Sequence, residues 1–257
     1  MLISPEKKVI PDLFSLWKTC FHDEDGYINL FFEKEFENCK TFAAFEDGEA
    51  VSVLYLLDCF IALDGARYDG YYLYAAATKP ECRSKGLMSA LIKEAEDFAG
   101  KEGRAFIALV PGEESLYGYY DRFGFDKRMY KYKTKADFGG ACRTEKCDRN
   151  DYLNYRLSLL DSCVQFEKSE FAYVADCYAY SDISLLKGDN CRLICDGETV
   201  YELLGENPEA AGDKVVYSQK PLCEFCEKIT FGQLYFTSKE TAEKFQNAEI
   251  YMNHALD

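Results

Sequence analysis

Two kinds of residue are scarce in this sequence, and each shortage argues against a class of function. The 257 residues include only two histidines, His22 and His254, so a catalytic triad or a metal centre built on histidines is not expected. Basic residues are outnumbered, 30 against 45 acidic ones, and the net charge of −15 disfavours nucleic acid as a partner. The acid excess would attract cationic small molecules or basic peptides, or serve solubility alone.

Long apolar stretches are also missing. No run approaches the roughly 20 apolar residues that a membrane-spanning helix needs. The first residues, MLISPEKKVIPDLF, do not show the charged start and apolar stretch of a secretory leader. We therefore expect a protein without a membrane partner, located in the cytoplasm, with an ordinary packed core.

Cysteine, in contrast, is abundant. The 12 cysteines are scattered through segments predicted to be packed, which favours reduced thiols over a secreted disulfide scaffold. Cys223 and Cys226 form a CxxC pair, and Cys191 and Cys195 lie upstream. Four thiolates could bind zinc, although the spacing of the second pair does not match a zinc ribbon. We predict no metal, and a zinc-stabilised interaction protein remains the alternative.

The hydrophobic pattern of residues 1–135 predicts a mixed α/β domain. PDLFSLWKTCF and YINLFFEKEF have helical spacing, and a strand hairpin around Gly48 and the strand YYLYAAAT follow. A helix after Gly86, the strand RAFIALV, a short helix in PGEESLYGYYDRF and the strand GFDKRMYKYK complete the domain. The helix after Gly86 is predicted to bury Leu87, Leu91, Ala95 and Phe98 and to expose Lys93, Glu94, Glu96 and Asp97.

A composition change near KADFGGACRTEKCDRND predicts a linker, with a smaller α+β domain at residues 150–257. In that domain DYLNYRLSLLDSC has the pattern of a helix. The remaining predicted elements are strands, within EFAYVADCYAYS, CRLICDGETVYELLG, DKVVYS and GQLYFT. The sequence predicts no role for this second domain.

The stretch TKPECRSKGLMSAL places Arg83, Lys85 and Gly86 where a strand gives way to a helix. A helix N-terminus presents unpaired amides and partial positive charge, so it binds phosphate, and glycine lets a ligand approach the backbone. A single glycine excludes the dinucleotide-binding fingerprint, which needs three. By itself the stretch also fits an ordinary turn with basic residues.

A second motif lies one helix and one strand further on, in LYGYYDRFGF. Taken together, the two motifs resemble those of the GNAT acetyltransferase superfamily. The first matches R/Q-x-x-G-x-G/A at Arg83, Gly86 and position 88, and the second matches Y-x-x-x-G-F at Tyr120, Gly124 and Phe125. The order of elements over residues 1–135 agrees with that family. Met88 departs from the usual glycine or alanine, and it is tolerable if its side chain points into the helix packing.

The resemblance implies a GNAT-like fold and an N-acetyltransferase that uses acetyl-CoA. A bulky residue after GL is familiar in the branch that resembles the enhanced-intracellular-survival acetyltransferases, which carry extra domains. The acceptor implied is the primary amine of a small cationic molecule or peptide, and the alternative is a non-catalytic acyl-CoA-binding sensor or interaction module.

The resemblance also implies the site residues. The expected donor-binding residues are Ala76, Ala77, Thr78, Arg83, Ser84, Lys85, Gly86, Leu87, Met88 and Ser89. Tyr120 corresponds to the family's general acid, although its spacing from Leu116 also fits a core residue. Tyr117 and Tyr119 are expected to pack or to line the substrate site. No general base is evident beyond His254 and Asp257 in the tail, or a chain of water molecules.

Overall fold

A computed structural model describes residues 2–3, 7–139 and 143–253. Its helices are α1 (Ile10–Phe21), α2 (Asp25–Lys34), α3 (Leu87–Lys101), α4 (Tyr117–Asp121), α5 (Arg149–Leu159), α6 (Lys168–Tyr180) and α7 (Lys239–Lys244). Its strands are β1 (Leu2–Ile3), β2 (Lys40–Glu46), β3 (Glu49–Leu63), β4 (Ala66–Thr78), β5 (Phe106–Leu109), β6 (Lys127–Asp137), β7 (Glu145–Lys146), β8 (Cys163–Phe166), β9 (Ser184–Gly188), β10 (Cys191–Cys195), β11 (Thr199–Gly205), β12 (Asp213–Ser218), β13 (Glu227–Phe236) and β14 (Ile250–Tyr251).

The chain forms two compact units, and neither is continuous in sequence. The first comprises residues 1–60, 68–126 and 234–246, and the second comprises residues 61–67, 127–233 and 247–257. The domains predicted from the sequence, residues 1–135 and 150–257, are instead contiguous. The difference arises because the first unit also takes in the end of β13 and α7.

The first unit is a mixed sheet with helices, as the sequence predicts. Its strands follow the order β1-β2-β3-β4-β5, and the end of β13 lies beside β5. β2 and β3 form the predicted antiparallel hairpin, in which Gly48 has a φ of 87°. α3 connects β4 to the parallel strand β5.

An aromatic cluster anchors α1 and α2 to this sheet. The indole of Trp17 lies 5.0 Å from the ring of Phe31 and 6.0 Å from that of Tyr55, measured between centroids. All three side chains are buried. These contacts explain why the two amphipathic segments fold as the predicted helices, because each buries one apolar stripe on the strands.

The helix α3 departs from its predicted burial at three residues. Leu87 and Phe98, predicted to be buried, are only partly buried. Leu91, Ile92 and Ala95 are buried as the helical spacing requires. Glu96, predicted to be exposed, is half-buried instead. Its Oε1 atom is buried and forms no hydrogen bond with the described residues.

The second unit is an α+β fold built on a mixed, mainly antiparallel set of strands. β6 pairs with β12, β12 lies parallel to β11, and β10, β9 and β7 follow in that order. Inside it, Arg156 of α5 forms a buried ion pair of 3.0 Å with Glu202 of β11, and the Tyr152 hydroxyl donates to the same carboxylate at 2.6 Å. This network attaches α5 to the sheet.

One predicted strand in the second unit is wrong. EFAYVADCYAYS contributes to the helix α6, whose buried residues include Phe171, Val174 and Tyr178. The ring of Phe171 stacks on Tyr152 of α5 with centroids 5.7 Å apart. The aromatic and β-branched residues suggested a strand, but packing against α5 selects the helical repeat.

Candidate active site

A cleft in the first unit begins where β4 and β5 separate. The two parallel strands pair from Gly70–Phe106 to Tyr72–Ala108, and β5 ends at Leu109 while β4 continues to Thr78. Ala75, within this continuation, has a left-handed φ of 45°, which is uncommon for a residue other than glycine and marks a distortion of the strand. Among the described residues, the edge of β4 after Tyr72 is not paired with β5.

The loop after β4 leads into α3 and presents backbone amides. Ser84 and Gly86 both have positive φ, 62° and 81°. Gly86 is the N-cap of α3, and no side chain caps the helix by a hydrogen bond. The first turn contains no acidic residue. The amides of that turn are therefore available to an anion, which the helix dipole also favours.

These elements surround a cleft of about 610 Å³. The lining residues are Cys20, Phe21, Ala76, Ala77, Thr78, Cys82, Arg83, Ser84, Gly86, Leu87, Met88, Ser89, Leu116, Tyr119, Tyr120 and Arg122. Every donor-binding residue expected from the sequence is among them except Lys85. The predicted loop and the predicted general acid thus line one cavity.

Lys85 points towards a different partner. Its ammonium lies 3.2 Å from Oε2 of Glu46 and 3.8 Å from the Cys82 sulfur. The hydrogen bond with Glu46 raises the pKa of Lys85. Arg83, in contrast, lines the cleft, and its Nε donates to the Thr78 carbonyl at 3.2 Å. The two basic residues of the motif therefore have different surroundings.

Tyr120 is held at the cleft wall by aromatic packing. Its ring lies 5.2 Å from that of Tyr119 and 5.9 Å from that of Phe125, and 8% of the residue is exposed. Burial raises the pKa of Tyr120 well above its ordinary value, so the phenol keeps its proton at neutral pH. No described residue forms a hydrogen bond with this hydroxyl, which leaves it able to bond a ligand.

The surroundings of Met88 explain how the motif accommodates a side chain larger than the usual glycine or alanine. Its side chain packs against the core cluster that includes Leu91, Tyr120 and Phe125, and the residue also lines the cleft. A side chain larger than alanine is therefore accommodated in the packing at this position, as the sequence analysis required.

Five lining residues were not predicted from the sequence to line the site: Cys20, Phe21, Cys82, Leu116 and Arg122. Arg122 lies two positions after Tyr120, and its guanidinium carbon sits 4.8 Å from the centre of the Tyr119 ring. The sequence YDRFGF contained this basic residue, which a search for cations near the second motif could have found. Cys20 and Phe21 reach the cleft through packing of α1, with the Cys20 sulfur 3.4 Å from the Thr78 carbonyl oxygen. A local sequence pattern cannot predict this contact, because Cys20 and Thr78 lie 58 residues apart in the chain.

The sequence also raised expectations about the C-terminal tail, metal ligands and membrane-spanning helices. His254 and Asp257 lie outside the described residues. Within the described ranges, no group of three or more His, Cys, Asp or Glu side chains is placed to hold a metal ion. None of the described helices is long and apolar enough to cross a bilayer.

Comparison with known proteins places this architecture in a family. The model of the GNAT acetyltransferase domain matches residues 3–128. No curated protein matches the chain significantly.

Solved structures share the fold over most of the chain. A probable N-acyltransferase of unknown function from Enterococcus faecalis aligns over 94% of this chain and 73% of its own, with a TM-score of 0.73 and 15% identity. The Eis1 protein of Mycobacterium abscessus aligns over 92% of this chain and 73% of its own, with a TM-score of 0.67 and 12% identity. A GCN5-related N-acetyltransferase from Kribbella flavida aligns over 94% and 73%, with a TM-score of 0.67 and 13% identity.

The mixed α/β fold and the family resemblance predicted from the sequence are thus confirmed. The matched residues include every residue that lines the cleft. Residues 3–128 therefore form an acetyltransferase domain of the GNAT superfamily.

Proposed function

We propose that this protein transfers the acetyl group of acetyl-CoA to a primary amine of a small cationic molecule or peptide, with Tyr120 as the general acid. One observation carries the proposal: the Tyr120 side chain, the separated edge of β4 and the uncapped start of α3 line the same cleft. Together these features can bind an acyl-CoA donor and supply a proton at the same place.

The chain's residues suit the donor. The amides of Leu87, Met88 and Ser89 would bind the pyrophosphate, and Arg83 would add a full positive charge. The edge of β4 at Ala76–Thr78 would pair with the pantetheine arm as an added strand does. The left-handed Ala75 supports this role because it breaks the regular strand just before that edge.

Acetyl-CoA supplies an activated thioester, and the protein's part is positioning and proton supply. The amine nitrogen attacks the thioester carbonyl carbon, and the carbon–sulfur bond breaks as the amide bond forms. Holding the two reactants in line accounts for much of the acceleration in such reactions, and a backbone amide of β4 would stabilise the developing oxyanion. Tyr120 would donate its proton to the departing thiolate, and the proton that the amine loses would pass through water and restore the phenol.

The end of α1 and the loop after it favour a cationic acceptor. Cys20 and Phe21 line the cleft, and the sequence continues from Phe21 with His22, Asp23, Glu24 and Asp25. Asp23 and Asp25 already bond Trp17 and Lys18, which fixes part of this acidic segment near the cleft-lining end of α1. An amine carrying further positive charge would be attracted there.

The experiment is a panel of acceptors assayed by release of free coenzyme A. Aminoglycosides, polyamines and lysine peptides represent the cationic class, and neutral primary amines of similar size are the control. We expect turnover with at least one cationic class and lower kcat/KM for the neutral amines. Equal activity on neutral amines would contradict the cationic acceptor. Binding of acetyl-CoA without turnover on any amine would instead indicate the acyl-CoA-binding module.

Tyr120→Phe tests the general acid on the acceptor that the panel identifies. We expect kcat to fall by about 100-fold or more, with little change in the affinity for coenzyme A, because only the hydroxyl is removed. Tyr119→Phe is the matched control, since Tyr119 also lines the cleft. A Tyr120→Phe enzyme as fast as the parent would rule out the role.

A further inference from the structure

The CxxC pair of the second unit lies in an arrangement that acetyl transfer does not explain. Cys223 and Cys226 belong to the loop between β12 and β13, and their sulfur atoms lie 3.9 Å apart. Both residues are partly accessible, and Phe225 between them is 89% exposed. The pair therefore lies at the surface of the unit, within reach of a small molecule.

The sulfur of Cys226 is surrounded by hydrogen-bond donors. The amides of Leu222 and Cys223 donate to it at 3.1 and 3.2 Å. The Thr134 hydroxyl of β6 lies 3.0 Å away. A neutral thiol is a weak acceptor, whereas a thiolate accepts several hydrogen bonds well. Two backbone donors and a hydroxyl that can also donate converge on this sulfur, and these are the surroundings of a thiolate.

The other cysteines provide the contrast. Burial raises the pKa of Cys39 and of Cys163 to about 12, and that of Cys147 to about 11. Burial also acts to raise the pKa of Cys226, but the hydrogen bonds from Thr134 and the two amides outweigh it and leave this pKa below the ordinary value. Reactivity with disulfides follows the thiolate fraction and accessibility, so Cys226 should react selectively.

We propose that Cys223 and Cys226 form a redox-active dithiol site that reduces low-molecular-weight disulfides, with Cys226 as the nucleophile and Cys223 as the resolving thiol. The proposal rests on the sulfur-to-sulfur distance of 3.9 Å and on the two amides and the hydroxyl that hydrogen-bond with the Cys226 sulfur. A disulfide requires about 2.05 Å between the sulfurs, so the loop needs only a small movement to close the bond.

The exchange balances in two steps. The Cys226 thiolate attacks one sulfur of the reagent, whose sulfur–sulfur bond breaks, and a mixed disulfide forms as the first thiolate leaves. The Cys223 thiol then loses its proton, and its sulfur attacks the sulfur of Cys226. The second thiolate leaves, and the protons from the two cysteines end on the released thiols. Two protein thiols are oxidised and one disulfide is reduced.

The nearby charges predict which disulfides react fastest. Glu224 and Glu227 lie beside the two cysteines in sequence, and both are exposed. Their negative charge would slow the approach of an anionic disulfide such as oxidised glutathione. Cystamine, which is cationic, should react faster at low salt, and bis(hydroxyethyl) disulfide is the neutral reference.

The test treats the full-length, reduced protein with bis(hydroxyethyl) disulfide at pH 7 and maps the products by mass spectrometry. We expect the parent to lose about 2 Da as one Cys223–Cys226 disulfide forms. Cys223→Ser should stop at a mixed disulfide on Cys226, and Cys226→Ser should leave Cys223 largely unmodified. Random modification of the cysteines, or a mixed disulfide on Cys223 in the parent, would overturn the proposal.

Thr134 gives a second test that does not remove a sulfur. Thr134→Val keeps the side-chain volume but removes one donor, and we expect the first exchange step to become about tenfold slower. Thr134→Ser retains the hydroxyl and should restore most of the rate. An equal loss in both variants would point to packing alone, and unchanged rates in both would show that the donor has no role.

Discussion

Arg83 and Lys85 carry the same charge and lie two positions apart, but only Arg83 lines the cleft. Both were predicted from the sequence to bind the donor. Arg83 lines the cleft and bonds the Thr78 carbonyl, while the Lys85 ammonium lies beside Glu46. A guanidinium held in this way is placed to bond phosphate oxygens in pairs.

Charge reversal at each position separates the two roles. We expect Arg83→Glu to weaken coenzyme A binding by about 100-fold, because a charge-assisted contact is replaced by repulsion. Lys85→Glu should weaken it by less than about tenfold, through the long-range field alone. Titration calorimetry measures both. Equal losses would mean that Lys85 leaves Glu46 and contacts the ligand.

Glu96 is the residue whose titration should affect stability. Burial raises the pKa of its carboxyl to about 7. Because the folded state holds the proton more tightly than the unfolded chain does, Glu96 contributes no penalty below the ordinary carboxyl pKa of 4.5. Stability is then lost as the pH rises towards 7.

Glu96→Gln removes that penalty while keeping the side-chain shape. At pH 8 we expect the variant to gain about 1–2 kcal/mol in free energy of unfolding, a value reduced from the full shift because the residue is only half-buried. Near pH 4 the gain should vanish. Urea unfolding followed by the fluorescence of Trp17, the single tryptophan, measures it. Glu94→Gln, exposed on the same helix, is the control and should change little.

At the scale of the element, the glycines near the two ends of α3 differ in backbone conformation. Gly86 begins the helix with a φ of 81°, which other residues adopt only with strain, although a Cβ there would meet no neighbour within 4 Å. Gly100 near the other end has equally open space and no positive φ. The two positions thus differ in backbone conformation and not in room.

Alanine at each position tests this difference. Gly86→Ala should lower stability by about 1 kcal/mol through backbone strain and should also weaken coenzyme A binding by tilting the loop amides. Gly100→Ala should raise stability by about 0.5–1 kcal/mol, since alanine restricts the unfolded chain. The same Trp17 fluorescence and calorimetry measure both. A stabilised Gly86→Ala protein with normal binding would refute the strain argument.

The elements of the first unit were largely predictable because their signals are local. The helical stripe of Leu13, Leu16 and Trp17, the turn at Gly48 and the α3 motif each lie within a few residues. The approach of Cys20 to Thr78 is set by packing between distant segments, so it was not predictable. α6 failed for a related reason, because its aromatic residues favour strand locally and only the contact with Tyr152 selects the helix.

At the scale of the whole molecule, the discontinuous first unit conflicts with a simple domain boundary. Leu234 is fully buried, and Tyr235 packs against the core with its ring 5.5 Å from that of Phe125. The Thr237 amide donates to the Ala105 carbonyl beside β5 at 3.2 Å. A domain of residues 1–135, as proposed from the sequence, would not contain Leu234, Tyr235 or Thr237.

A fragment of residues 1–135 should therefore fold less stably than the complete first unit. We expect it to aggregate or to melt without cooperativity, because the edge of β5 is uncovered. The matched control joins residues 232–246 to the same fragment through a flexible Gly/Ser linker, and it should recover a cooperative transition. Circular dichroism melting and size-exclusion chromatography are the measurements. A cooperative melt of the bare fragment would show that the C-terminal segment is dispensable.

Many multidomain proteins fold from the N-terminus during synthesis, one domain at a time. Here the nascent acetyltransferase unit is incomplete until the ribosome has passed residue 246. Until then one edge of its sheet lacks the last strand, and we expect the nascent chain to be prone to aggregation.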